Sequence, residues 1–343
     1  MGFVASSNHS RSASITIRST ALNIFTALGR GLPRACSQRR TPREKHFFRN
    51  IAMKIKPMIV SVLLINALTG AAFGLTGCTE FQMLNATVSH FGYVGTINIA
   101  YGNDPRQKLD VYVPQKTVPD AKVVIFFYGG SWRNGSKTDY RFVAKALTSR
   151  GFIVVLPDYR LYPNVTFPAF VEDGASAVRW VRDNISTYGG DTNGIYLMGH
   201  SAGAHIAALL TLDGHYLKAV GLGRYVIRAT AALSGPYDFT PYPWDRPVFG
   251  MATNQTAINT AIEPISFVDG KEPPMLLVQG LRDKIVSPSN AVNLAARIRE
   301  MGGEVEYVSY PKRGHAAVVV ALASPYHGLA PVLNDVTDYF DRH

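Results

Sequence analysis

Residues 195–203 read Ile-Tyr-Leu-Met-Gly-His-Ser-Ala-Gly, an apolar run that ends in the pattern G-x-S-x-G with Ser201 at its centre. The next segment, 202–212, is rich in alanine and leucine and has no proline, which favours a helix. Ser201 is therefore predicted at a sharp turn from a strand into a helix. Gly199 and Gly203 would leave room for the strand and the helix to pass close together. The alternative is an ordinary strand-to-helix turn that happens to contain a serine.

Strand-like and helix-like stretches alternate through most of the remaining chain. This alternation predicts a mostly parallel sheet that is covered by helices on both faces. Residues 78–343 have the length of one large α/β domain, and no internal repeat interrupts them. The strands are predicted at about 94–99, 108–113, 122–128, 152–156, 194–198, 229–234, 274–279 and 304–310, and the helices near 138–150, 168–187, 202–212, 289–301 and 326–341.

A serine hydroxyl at such a turn becomes a nucleophile when a histidine base and an orienting carboxylate accompany it. In hydrolases built on this turn the acid and then the histidine follow the serine along the chain. His315 comes in a loop directly after the strand-like stretch 304–310, and we predict it as the base. His327, at the start of the last predicted helix, is the alternative. His200 inside the turn is expected to be a packing residue.

Two carboxylates after Ser201 follow predicted strands. Asp283 follows the apolar run 275–280 and would lie at the carboxyl end of that strand, where open α/β sheets place their functional groups. We predict Asp283 as the acid. It could instead cap the next helix, and Asp238, which follows another strand, is the second candidate.

The third requirement is a set of donors for the oxyanion that forms during acyl transfer. The strand-like stretch 122–128 ends in Gly129-Gly130, and glycines let backbone N–H groups approach a ligand closely. One further donor usually follows the nucleophile. The predicted oxyanion hole therefore consists of the N–H groups of Gly129, Gly130 and Ala202.

These motifs together resemble the α/β-hydrolase superfamily, specifically the small carboxylesterases related to hormone-sensitive lipase and to the prenylcysteine-methylesterase and kynurenine-formamidase-like enzymes. One departure affects substrate preference: the oxyanion loop of that family usually begins with histidine, and here Tyr128 stands in its place. A tyrosine hydroxyl could also hold the loop through a hydrogen bond, but at a different distance from the backbone. The matching stretches run in family order from about residue 92 to the C-terminus and are 109–114, 128–132, 157–163, 199–203, 279–283 and 314–315.

The resemblance implies an α/β-hydrolase catalytic domain at 92–343 that hydrolyses small-molecule carboxylic esters through a Ser201–Asp283–His315 triad and an acyl-enzyme. The alternatives are an amidase, formamidase or lipase on the same triad, or a non-catalytic binding protein with this fold. No cysteine and histidine cluster has metal-ligand spacing and no phosphate-binding loop is recognisable, so no metal and no cofactor are expected. No pattern bears on the oligomeric state.

One segment, about 236–268, is rich in proline and aromatic residues and has weak periodicity. Long loops in compact domains are often lids or binding loops, so a short cap over the site is predicted here. Its aromatic residues either line an apolar substrate pocket or pack the cap onto the domain. The residues assigned to the pocket are Trp132, Tyr162, Tyr237 and Trp244.

Residues 53–77 have the basic start, apolar run and small-residue end of a secretory signal. The ending Leu75-Thr-Gly-Cys78 resembles a bacterial lipobox, in which the cysteine is lipidated. We therefore predict a membrane-anchored lipoprotein that faces the periplasm or cell surface, with 78–91 as a tether. The alternative is an uncleaved membrane anchor at 57–76, which is about long enough to span a bilayer.

Residues 1–52 are rich in arginine and serine and fit neither a signal nor the domain. They are predicted either as upstream sequence before a true start at Met53 or as a transit-like segment. Residues 1–77 carry 11 of the 35 Lys and Arg and one of the 24 Asp and Glu, which leaves 78–343 with a net charge of +1. Residues 1–77 therefore carry ten of the eleven net positive charges, and a nucleic-acid partner is not expected.

Overall fold

The computed structural model describes residues 80–86, 88–89, 91–116, 119–239, 246–250 and 259–343. The leader, the predicted signal and Cys78 lie outside these residues, as does Trp244. Within the described part of the chain, no helix combines the length and the hydropathy needed to span a bilayer.

The centre of the protein is an eight-stranded sheet. Its strands are β1 (Tyr93–Ala100), β2 (Lys108–Pro114), β3 (Ala121–Phe127), β4 (Ile153–Pro157), β5 (Gly190–His200), β6 (Ile227–Leu233), β7 (Met275–Gly280) and β8 (Val305–Tyr310). They lie in the order β1-β2-β4-β3-β5-β6-β7-β8. β2 pairs antiparallel with both β1 and β4, and all other neighbours are parallel. The predicted α/β-hydrolase fold class is confirmed.

The helices connect the parallel strands. All residues of β4 and of β7 are buried, and since successive side chains of a strand point to opposite faces, both faces of the sheet are covered there. The α-helices are α1 (Glu80–Ala86), α2 (Arg141–Thr148), α3 (Ala169–Asn184), α4 (Ala202–Leu212), α5 (Gly214–Ala219), α6 (Asn259–Ile262), α7 (Ser289–Glu300), α8 (His315–Val320) and α9 (Val332–Arg342).

Register places the ends of four parallel strands together. Phe127 at the end of β3 lies opposite Gly199 of β5, and β5, β6, β7 and β8 continue the parallel pairing. The loops that follow β3, β5, β7 and β8 therefore emerge at one edge of the sheet. In that order, these loops contain Gly129, Ser201, Asp283 and His315.

Three helices differ from the sequence-based expectation. Residues 80–86 of the predicted tether form α1, which packs against the domain with Leu84 buried. The last helix begins at Val332 rather than near 326, because Pro331 lies directly before it and a 3₁₀-helix, Ser324–Leu329, precedes that proline. His315 is the first residue of the short helix α8 rather than a loop residue.

The predicted cap is described at 236–239, 246–250 and 259–268. It contains short helices instead of one long loop: Arg246–Phe249, α6 and Pro264–Phe267. Phe239 and Phe249 are buried and their rings meet edge to face at 5.4 Å between centroids. Phe239 and Phe249 therefore pack the cap onto the domain, which is one of the two roles that the sequence left open for the aromatic residues of the cap.

Candidate active site

The turn at Ser201 is strained, and its two glycines explain how it forms. Ser201 has φ of +55° and ψ of −120°, which non-glycine residues rarely adopt. A Cβ on Gly203 would lie 2.0 Å from the carbonyl oxygen of Phe127, and one on Gly199 would lie 2.3 Å from that of Gly203. Only glycine fits at these two positions. The close crossing of strand and helix places the Ser201 hydroxyl at the N-terminus of α4.

His315 stands between Ser201 and Asp283. Its Nε2 lies 2.8 Å from the Ser201 Oγ, and its Nδ1 lies 2.7 Å from Oδ2 of Asp283. The His315 side chain is 10% exposed and the Asp283 side chain is fully buried. The structure therefore brings together the three residues that were predicted as nucleophile, base and acid.

The alternative base and acid lie in other contacts. Nε2 of His327 bonds the carbonyl oxygen of Leu322, and the Asp238 carboxylate accepts a hydrogen bond from Asn293 at 2.7 Å. In the described part of the chain, no three or more His, Cys, Asp or Glu side chains are grouped so as to hold a metal ion.

Asp283 is held as a carboxylate by its surroundings. Burial raises the pKa of this group, but the hydrogen bond and charge of His315 and the backbone N–H groups of Val286 and Ile285 outweigh burial and bring the pKa below its ordinary value. Both backbone donors reach Oδ1 at 2.9 Å. Gln279 donates to Oδ2 at 3.1 Å. Because an ionised carboxylate only accepts, Nδ1 of His315 must donate to it, and Nε2 is then free to accept from Ser201.

His200 packs beside His315. The ring centroids of His200 and His315 are 4.8 Å apart. Nε2 of His200 lies 3.2 Å from the backbone carbonyl oxygen of His315. Burial, assisted by the charge of His315, lowers the pKa of His200 to about 3. A neutral ring with a carbonyl at Nε2 must carry its proton there, so His200 donates to the backbone of the base.

The loop after β3 lies directly against the serine. A Cβ on Gly129 would be 3.0 Å from the Cβ of Ser201. Gly130 has φ of +136°, and a Cβ there would lie 2.1 Å from the carbonyl oxygen of Asn134. A side chain at Gly129 would be crowded against Ser201, and one at Gly130 would clash with the backbone of the loop itself.

The Gly129 backbone also lies beside Tyr140. Burial raises the pKa of Tyr140, and the Gly129 backbone lowers it in smaller part. Ala202 lies in the first turn of α4, where an N–H has no acceptor within the helix.

Tyr128 braces the loop from behind. Its hydroxyl accepts a hydrogen bond from Arg106 at 2.8 Å and donates to Asp158 at 2.9 Å. Its ring stacks on that of Tyr159 with 4.6 Å between centroids. Arg106 also bonds the carbonyl oxygen of Gly135 at the far end of the loop. Tyrosine therefore anchors the loop where the resembling family usually has histidine.

A cavity of about 340 Å³ opens at the serine. Its wall includes Ser201, His315 and the loop at 129–131, together with side chains that the sequence did not point to. Residues of this wall that were not predicted are Phe81, Asn134, Asp139, Tyr140, Ile285 and Ala316. These residues come from several parts of the chain and share no motif. The one signal in the sequence is proximity to a predicted site residue, as for Ala316, which follows His315.

The three predicted pocket residues that the structure describes lie outside the cavity wall. Trp132 and Tyr237 are at most 2% exposed and are not part of the cavity wall, so the structure does not bring these two residues to the cavity beside Ser201. Trp132 packs against Phe170 and Phe249 in the core. Tyr237 belongs to a second core cluster, where its hydroxyl accepts from the Gly235 N–H at 3.2 Å. Tyr162 is also absent from the wall and lies under the Arg133 guanidinium.

Comparison with known proteins gives a family and a fold. The model of the BD-FAE family matches residues 109–298. Esterase LipC of Mycobacterium tuberculosis is 31% identical over 72% of this chain and 66% of its own length. An isoprenylcysteine alpha-carbonyl methylesterase of Arabidopsis thaliana is 32% identical over 64% of this chain and 56% of its own length. The chain thus spans between about half and two thirds of these relatives.

A solved structure supports the fold independently. Esterase B from Lactobacillus rhamnosis superposes with a TM-score of 0.67 at 20% identity, covering 84% of this chain and 95% of that one. At this identity the likeness concerns the fold alone. The family match, in contrast, covers more than half of the chain and includes the Ser201 turn and Asp283. The chain belongs to the BD-FAE family of α/β-hydrolases.

Proposed function

We propose that this protein is a serine carboxylesterase that cleaves small carboxylic esters through an acyl-enzyme. The observation that carries the proposal is the continuous contact from Ser201 Oγ through His315 to the buried carboxylate of Asp283. Esterase and methylesterase relatives support this activity.

The reaction follows from the geometry. The Ser201 Oγ attacks the ester carbonyl carbon while Nε2 of His315 takes the hydroxyl proton and then gives it to the departing alcohol oxygen. A water molecule next attacks the acyl-serine carbonyl carbon and loses a proton to His315. His315 returns that proton to the Ser201 Oγ as the acyl–oxygen bond breaks, which releases the carboxylic acid and free Ser201. Asp283 keeps Nδ1 of His315 protonated and stabilises the imidazolium formed in each half-reaction.

The donors for the oxyanion are proposed from the same loop and turn. The proposed donors are the N–H groups of Gly129, Gly130 and Ala202, and the close approach of Gly129 to Ser201 supports this set. Ala202 adds the favourable end of the α4 dipole. Removing one donor of this kind usually costs about 10²–10³ in kcat.

The experiment compares the full chain with its Ser201→Ala variant on p-nitrophenyl esters. Loss of the nucleophile should reduce kcat by about 10⁶, since the base has no hydroxyl left to activate. Ser149→Ala is the matched control, because Ser149 is an exposed serine at the end of α2. Both variants should keep the far-ultraviolet circular dichroism of the parent.

Two results would contradict the ester proposal. Turnover that survives in Ser201→Ala would remove the serine mechanism altogether. A folded parent without turnover on any ester would redirect the search to aryl amides and formamides, which the same three residues could cleave.

We further propose that the protein is a lipoprotein attached to a membrane through Cys78, with the catalytic domain on the periplasmic or outer side. The support is the sequence alone: a signal-like segment that ends in Leu75-Thr-Gly-Cys78. One acyl chain binds a membrane only marginally, whereas two or more anchor it stably.

A further inference from the structure

Helix α1 forms part of the catalytic cavity, although it precedes the sheet and was expected to be a tether. Phe81 from this helix lines the same cavity as Ser201 and His315. The helix is short, at Glu80–Ala86, and its position therefore depends on contacts with the domain rather than on its own stability.

Those contacts are specific. Asn85 is 5% exposed, and its side chain donates to the carbonyl oxygen of Thr138 at 2.7 Å and accepts from the N–H of Phe142 at 3.0 Å. A side-chain amide that pairs in both directions fixes both the position and the rotation of the helix. Leu84 is buried in the main core beside it.

The Phe81 ring is held in turn by two aromatic side chains. It lies 5.0 Å from the ring of Tyr140 and 6.2 Å from that of Phe142, nearly parallel to the second at 6°. Tyr140 is itself part of the cavity wall, and its ring stacks on that of Tyr128 at the start of the loop, with 5.7 Å between centroids. Phe81 is therefore a fixed wall that is connected through Tyr140 to the loop beside the serine.

We propose that Phe81 is a specificity-determining residue, and that α1 closes the cavity and limits the size of the apolar ester group that it admits. This inference rests on the proposed esterase function. A benzyl side chain packed against two other rings cannot move aside at low cost, since close-packed aromatic contacts would be lost. Acyl or alcohol groups that extend past it must therefore clash.

The test measures kcat/KM of the full chain and of Phe81→Ala on two series. One series varies the acyl chain of p-nitrophenyl esters from acetate to decanoate, and the other varies the alcohol of alkyl acetates. For each series, the measured quantity is the ratio of kcat/KM for the longest member to that for the shortest. Phe81→Ala should raise this ratio by about 10-fold or more in at least one series. The reason is that each methylene a pocket accepts or excludes changes kcat/KM by a factor of this order. Phe81→Trp should lower the same ratio.

Phe91→Ala is the matched control, because Phe91 is 84% exposed and is not part of the cavity wall. It should leave both ratios as in the parent. Ratios that stay unchanged in both folded Phe81 variants would overturn the inference while leaving the esterase intact. A parent with no ester turnover would instead remove the proposed function, and so the two failures can be told apart.

Discussion

Oδ2 of Asp283 lies 2.7 Å from Nδ1 of His315, and the other oxygen of the same carboxylate is occupied by two backbone N–H groups. The carboxylate is therefore fixed by its own loop before it meets the histidine. This arrangement holds the imidazole in one tautomer and one orientation.

We expect Asp283→Asn to reduce kcat by about 10⁴ without unfolding the protein. An asparagine amide could present its N–H₂ to Nδ1 and so favour the tautomer whose Nε2 carries the proton, which is unable to accept from Ser201. Steady-state kinetics on p-nitrophenyl butyrate would measure the loss. Asp238→Asn is the control, since Asp238 also follows a strand but bonds Asn293, and it should cost less than about tenfold. Equal losses in the two variants would contradict the assignment.

Much of the site was predictable because its signals are local. The strained turn at Ser201 needs glycine on both sides, and Asp283 and His315 each follow a strand-like run within a few residues. Once the strands are parallel neighbours, these strand ends must lie at one edge. Sequence patterns of this kind encode both the local structure and the place in the sheet.

The substrate cavity was not predictable for the opposite reason. Phe81 reaches the cavity only because Asn85 bonds residues more than 50 positions away. Trp132 and Tyr237 have the aromatic character of pocket residues, but composition cannot distinguish an aromatic wall from an aromatic core. Which of the two roles a ring takes depends on which helices pack over it.

Tyr128 offers a test of how the oxyanion loop is held. We expect Tyr128→Phe to lower the free energy of unfolding by about 1–3 kcal/mol, because Arg106 and Asp158 each lose a buried partner. We also expect kcat to fall by about 10- to 100-fold with little change in KM, since misplaced loop donors are felt mainly in the transition state.

Tyr112→Phe separates these two effects. The buried Tyr112 hydroxyl also bonds a carboxylate, that of Asp110, but on β2 and away from the loop. The Tyr112→Phe variant should lower the free energy of unfolding by a similar amount and leave kcat unchanged. A Tyr128→Phe variant with reduced stability and full kcat would show that the hydroxyl does not position the loop.

The proposed lipid anchor predicts a difference between the two cysteines of the chain. When the full sequence is expressed in a bacterium, the protein should partition into the detergent phase on Triton X-114 extraction, and Cys78→Ser should shift it to the aqueous phase. Cys36→Ser should behave as the parent. Retention of Cys78→Ser in the detergent phase would favour the uncleaved anchor at 57–76.

Two buried histidines predict that the protein loses stability in mild acid. Burial lowers the pKa of His200 to about 3 and that of His205 to about 4, whereas an unfolded histidine titrates near 6.5. The unfolded chain therefore binds more protons than the folded one as the pH falls below about 6.5. Each such proton lowers the free energy of unfolding by about 1.4 kcal/mol per pH unit until the folded pKa is reached.

Urea unfolding at pH 7.5, 6.5, 5.5 and 5.0 would measure this dependence, in a range above the titration of ordinary carboxylates. His205→Gln should reduce the slope of the unfolding free energy against pH by the contribution of about one proton, because glutamine does not titrate. Glutamine can still donate to the Ile262 carbonyl that His205 contacts at 2.8 Å. The variant will be less stable than the parent at pH 7.5 and should approach it as the pH falls. Parallel curves for the two proteins would mean that His205 is not held neutral in the folded state.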